Sequence, residues 1–228
     1  SLPVKKPAYM HSFGMSPNYL ILTEFPLVVN SIRLLLWLRP YIENFRWEPR
    51  RGTRFWVVNR HTGELVGRYD CDPFFAFHHV NAFEQEGELL VDLVAYEDAG
   101  VLSAFYLDRL ETEQYEIPSG TLRRYRVPLS GGRVRAETLS EAGMELPRFD
   151  YRRYNMSPAY RFVYAVGPHP DRPAGFYNRL VKADVGTGRS WTWSEPDCYP
   201  GEPVFIGAPH RRAEDEGVRP REAAHALA

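Results

Sequence analysis

The chain has 228 residues, a formal net charge of −1, and 44% hydrophobic and 14% aromatic residues. This is an ordinary soluble globular composition, long enough for one substantial core or two small ones. The near-neutral charge argues against a nucleic-acid partner, which would normally need a basic patch. The two cysteines, Cys71 and Cys198, give neither a disulfide framework nor a metal-binding pair by spacing, so two buried free thiols and a cytoplasmic location are expected.

The first residues, Ser1 to Pro7, lack a signal-peptide core and a starting methionine and read as mid-protein sequence. Lysine occurs only at positions 5, 6 and 182, and the excess of arginine reads as GC-rich coding. A buried strand is expected over Asn18–Thr23, after the words Tyr9-Met10-His11-Ser12-Phe13-Gly14-Met15. The apolar run from Phe25 to Pro40 is too short, and too interrupted by Arg33 and Arg39, to span a bilayer. Its part from Ile32 to Leu38 reads as a short helix, either a core helix or a segment resting in a membrane interface through Leu34, Leu35, Leu36, Trp37 and Leu38.

Strands follow at regular intervals. Arg54–Asn59 and Glu64–Tyr69 flank a turn that exposes His61. The stretch Phe74-Phe75-Ala76-Phe77-His78-His79-Val80-Asn81-Ala82-Phe83-Glu84 is aromatic-rich and uncharged until its last residue, and a turn joins it to Glu88–Val94. In an extended segment successive side chains point to opposite faces, so His78 and Val80 face one way and Phe77, His79 and Asn81 the other. The two histidines would not easily bind one ion, and spacing alone also suits two core histidines bonded to backbone. Val101–Glu111 reads as a helix with Leu102, Phe105, Tyr106 and Leu110 on one face. Thr121–Val127 pairs by pattern with Arg133–Leu139, and Ala159–Val166 is followed by Phe176–Ala183 and Ser190–Trp193. The rhythm is that of an antiparallel all-β protein, a sandwich or a propeller, with Ile and Val alternating with polar residues where a sheet face is wet. His169 and His210 read as loop residues.

Four blocks of this sequence, in order, resemble the carotenoid cleavage oxygenases, a family of non-haem iron enzymes. They are YMHSFGMSPNYLILTEFP (9–26), FFAFHHVNAFE (74–84) with VDLVAY (91–96), MELPRF (144–149) and SEPDCYPGEPVFI (194–206), and they cover nearly the whole chain. The wording is similar to that of the bacterial β-carotene-cleaving branch. The resemblance implies an all-β fold, a partial seven-bladed β-propeller with capping helices and loops. At on the order of 40–50 residues per blade, 228 residues would supply roughly four or five, so a fragment is expected, with the propeller over 1–217. The tail over 218–228 lacks strand periodicity and reads as a shifted frame or a short variant.

The resemblance further implies one Fe(II) held by four histidines. His11 matches the second ligand and His78 the third; the others fall outside the matched blocks, and His225 has the wrong neighbours. Glu145 and Glu202 match glutamates that hydrogen-bond such ligands from behind, Glu202 serving the missing fourth histidine. Without the resemblance, a glutamate beside prolines reads as a solvated loop residue. The implied partners are O₂ and a hydrophobic polyene, with Tyr9, Phe13, Phe75 and Phe77 as tunnel-wall or core residues. The expected reaction is oxidative cleavage of a conjugated C=C bond. The alternatives are a stilbenoid-cleaving member, an isomerase on the same scaffold, or a non-catalytic propeller that binds a partner.

Overall fold

The computed structural model describes residues 2–35, 39–111, 117–171 and 176–217, and all of Arg33 but its side chain. The first unit is an antiparallel sheet of β1 (Gly14–Met15), β2 (Tyr19–Glu24), β5 (Thr53–Asn59) and β6 (Leu65–Cys71), in that spatial order. Between β2 and β5 the chain leaves the sheet to form the two-stranded ladder of β3 (Leu27–Val29) and β4 (Phe45–Trp47). That excursion carries the short helix α1 (Ser31–Leu35), of which Leu36, Trp37 and Leu38 of the expected helix lie outside the described residues.

The next strands, β7 (His79–Gln85), β8 (Glu88–Ala95), β9 (Gly120–Pro128), β10 (Arg135–Arg148), β11 (Phe162–Gly167), β12 (Arg179–Asp184) and β13 (Ser190–Trp193), form one antiparallel meander. The β7–β8 turn is built by Glu86 and Gly87, whose φ of 53° and 81° are both positive, the two-residue geometry that matches strand twist. The 14-residue β10 belongs to two units. Its residues Arg135 to Met144 pair with β9, whereas Glu145 and Arg148 pair with Val166 and Tyr164 of β11. The outer strand of one unit thus runs on as the inner strand of the next. This is propeller connectivity, and the ring is open among the described residues. These residues build three four-stranded units, β10 counted in two of them, against the four or five expected from length; the β3–β4 excursion and the strand-poor 194–217 segment take up the difference.

One continuous core joins the units, from Ile21 and Phe55 through Phe74, Phe75 and Leu90 to Val163 and Val181. The expected alternation of dry and wet faces holds on β9 but fails on β8 and β11, where every residue except Glu88 is buried. A strand between two packed sheets has no wet face, so its sequence loses the period of two. Asp92, fully buried on β8, is the polar exception. Arg124 grips it at 2.8 and 2.7 Å, and the Tyr160 hydroxyl donates to it as well.

The helix expected over Val101–Glu111 is broken in two, α2 (Gly100–Ala104) and α3 (Leu107–Leu110), by an extended Tyr106 with φ −69° and ψ 138°. Val101 and Ala104 enter the core while Phe105 packs on Phe77 and Tyr177, so packing, not helix propensity, sets the chain path. The two cysteines are free but half-buried, not fully buried.

Candidate metal centre

His11 lies three residues before β1 and His78 immediately before β7, the inner strands of the first two units. β1 lies against β7. Glu145 begins the part of β10 that serves as the inner strand of the third unit. Three residues far apart in sequence therefore arrive at corresponding positions of successive units.

The imidazoles of His11 and His78 meet edge to face, ring centroids 5.0 Å apart at 90°. Glu145 Oε2 lies 2.6 Å from His78 Nδ1 and also accepts the N–H of Leu146 at 2.7 Å. The Leu146 bond follows from a left-handed backbone, φ 52° at Leu146, a conformation a leucine adopts only when its surroundings hold it there. With Nδ1–H donating to the carboxylate, Nε2 of His78 is the lone-pair nitrogen, the tautomer a metal ligand requires. Partial burial, and after it the nearby His78, keep the His11 imidazole below its usual pKa and so favour its neutral form. Far from the solvated loop residue that its neighbours suggest, Glu145 is 2% exposed.

Among the expected wall residues, Tyr9 stacks on His11 at 6.4 Å and Phe77 meets the His11 ring edge-on at 5.5 Å. Phe75 is fully buried core, and Phe13 points outward at 55% exposure. Phe45, in edge contact with Tyr9, also lines a cavity of about 360 Å³ with Leu27, Ile42, Trp47, Leu102 and Tyr106.

His79 contributes no free nitrogen. Its Nδ1 lies 2.8 Å from Ser12 Oγ and its Nε2 2.8 Å from Thr23 Oγ1. Burial, with a smaller contribution from His78, pushes its pKa down to about 3, so it is neutral. The expected opposition of His78 and His79 holds, but a bulge between His79 and Asn81 breaks the strict alternation beyond them. Asn81 instead donates to the carbonyls of Tyr154 and Ser157, both at 3.2 Å.

Glu202 is not brought to this cluster. It is exposed and pairs with Arg148 at 2.8 Å. His61 sits in an exposed turn, His169 Nδ1 accepts the Asp171 N–H at 3.1 Å, His210 is exposed, and His225 lies outside the described residues. Among the described residues no group of three or more His, Cys, Asp or Glu side chains is arranged to hold a metal. Ser12 and Thr23 beside His79 are residues that sequence alone does not flag, because a lone hydroxyl has no spacing signature.

Residues 1–219 match the model of the retinal pigment epithelial membrane protein family. The chain belongs to that family. Similar members are the carotenoid isomerooxygenase of Galleria mellonella, 36% identical over 226 residues, and the beta,beta-carotene 15,15'-dioxygenase of Homo sapiens, 31% identical over 256 residues. Each alignment covers 93% of this chain but only 43% and 44% of the relative, so the chain spans less than half the length of these family members. Among solved structures, a variant of the Synechocystis apocarotenoid oxygenase superposes with a TM-score of 0.79 at 26% identity over 93% of this chain and 44% of that one. A cobalt-substituted form of the same Synechocystis protein superposes with a TM-score of 0.77 at 26% identity, over 92% of this chain and 43% of that one.

Proposed function

We propose that this chain carries two metal-binding imidazoles of a non-haem Fe(II)-dependent oxygenase, and that the whole enzyme cleaves a conjugated C=C bond of a carotenoid or apocarotenoid with O₂ to give carbonyl products. The observation that carries this reading is the His11–His78 pair, with Glu145 fixed on Nδ1 of the second ring. Neutral imidazoles suit ferrous iron, and a carboxylate behind one of them is the usual means of holding its tautomer. A structural relative exists in a cobalt-substituted form, which supports metal binding by proteins of this fold.

When bound, Fe(II) would supply the activation of O₂. The chain's own residues have separate tasks. His11 and His78 offer lone pairs, and Glu145 keeps the His78 proton on Nδ1 and the ring in place. Tyr9 and Phe77 wall the site with apolar surface suited to a polyene, and the cavity beside Phe45 extends that surface away from the imidazoles. Two imidazoles hold an ion weakly, so the 228-residue chain by itself is expected to be inactive.

The same reading includes a cytoplasmic location and peripheral membrane contact near α1. There Ile32 and Leu35 are 69% and 76% exposed, while Leu34 packs against the core. Among the described residues no helix is long and apolar enough to cross a membrane. Replacing Ile32 and Leu35 with aspartate should lower co-sedimentation with liposomes; unchanged sedimentation would remove the membrane contact from the proposal.

The deciding test is anaerobic loading with Fe(II), with bound metal measured by mass spectrometry beside a His78→Ala variant. Weak, reversible binding that the variant loses supports the reading. Equal metal content in the two proteins would sink it.

A further inference from the structure

Both ring nitrogens of His79 are engaged, and the protons can be placed. Ser12 Oγ lies 2.6 Å from the Phe77 carbonyl, which can only accept, so the single Ser12 hydroxyl proton goes there. Ser12 Oγ must then accept from the His79 backbone N–H, at 3.0 Å, and from His79 Nδ1, at 2.8 Å. That places the imidazole proton on Nδ1, leaves Nε2 as an acceptor, and makes Thr23 Oγ1 the donor to it at 2.8 Å. The serine hydroxyl is used fully, one proton given and two accepted.

The placement of this chain of bonds is informative. Ser12 directly follows His11, and His79 directly follows His78. Thr23, with no exposed surface, is on β2 of the first unit, whereas His79 opens β7 of the second. Each imidazole of the proposed metal pair is thus followed by a residue bonded to the residue that follows the other. The clamp acts across the seam between two units, where a small slip would separate the two rings.

We propose that Ser12, His79 and Thr23 form a clamp that sets the distance and angle between His11 and His78, which makes His79 a positioning residue of the metal centre. This rests on the metal reading above. An ordinary buried histidine would stabilise the seam without affecting metal affinity, and the test separates the two roles.

The probe is Co(II), titrated into the purified chain and followed by its visible absorption, beside Ser12→Ala, Thr23→Val and Thr23→Ser variants. Thr23→Val keeps the shape of the side chain and removes the donor; Thr23→Ser keeps the donor. The expected result is a loss of Co(II) affinity of roughly 10–100-fold in Ser12→Ala and Thr23→Val, and near-native affinity in Thr23→Ser. Melting temperatures of Thr23→Val and Thr23→Ser should agree with each other. Long-range ¹H–¹⁵N spectra of the metal-free chain at pH 7.5 should show the Nδ1–H tautomer at His79, kept in Thr23→Val, and a mixture of tautomers in Ser12→Ala. Native-like Co(II) affinity in both donor-deleted variants, or a loss that only tracks the melting temperature, overturns the positioning role. A native chain that binds no Co(II) overturns the metal reading and the positioning role with it.

Discussion

Glu145 and Glu202 stand in similar words of sequence, each within two residues of a proline, yet the fold treats them oppositely. Glu145 is 2% exposed, with one oxygen shared between His78 and the Leu146 N–H. Glu202 is exposed and faces Arg148. The difference lies in the backbone. Glu145 is on an inner strand that the core holds on both sides, whereas Glu202 follows the last strand in a segment without regular structure. A carboxylate gains a role at a site from enclosure and direction, and neither can be read from its neighbours in sequence.

The sharpest way to test this contrast is to add a third carboxylate that is buried but has no histidine partner. Asp92→Ala should leave the half-buried Arg124 without its anion, at a cost of about 3 kcal/mol in urea denaturation. Its Co(II) affinity should stay near native; a large loss would show that burial alone disturbs the centre. Glu145→Gln comes next. Losing the charge that holds the His78 tautomer should weaken Co(II) binding roughly 10–100-fold, or ~1.4–2.7 kcal/mol, and unaltered binding would erase the distinction between Glu145 and Glu202. Glu202→Ala should change stability by less than about 1 kcal/mol, because an ion pair this exposed is screened by water, and should leave Co(II) binding unchanged. An effect as large as that of Glu145→Gln would place Glu202 at the centre after all.

The smallest effect concerns a thiol. Burial, then Asp72 and Asp70, push Cys71 up to about 12. At pH 8 it should therefore react slowly with iodoacetamide, its rate rising about tenfold per pH unit towards that value, as peptide mass mapping would show. Rapid labelling of Cys71 at pH 8 would contradict the enclosure described for it.

How far the sequence discloses the structure depends on whether a feature is local. The β7–β8 hairpin is legible because Glu86-Gly87 supplies its own turn chemistry, and β13 falls on the expected Ser190–Trp193. The extension of β10 beyond Leu139 to Arg148 is not legible, since it depends on β11 arriving to pair with its last residues. The break at Tyr106 is likewise set by tertiary contacts of Phe105. At the proposed metal centre, His11, His78 and Glu145 could be chosen in advance only through family resemblance. Ser12 and Thr23 could not be chosen at all, because their partners lie 67 and 56 residues away.

The double membership of β10 also puts the repeat of the sequence out of phase with the repeat of the structure. A segment cut at the boundary between units, between Met144 and Glu145, would sever one continuous strand whose two parts are held by different units, by β9 on one side and β11 on the other. A cut in the turn between β9 and β10 would instead leave β10 whole, with the second unit giving up its outer strand to the third. Modularity in this fold therefore resides in the overlap between units, and any rearrangement of its parts must carry one strand of the adjoining unit with it.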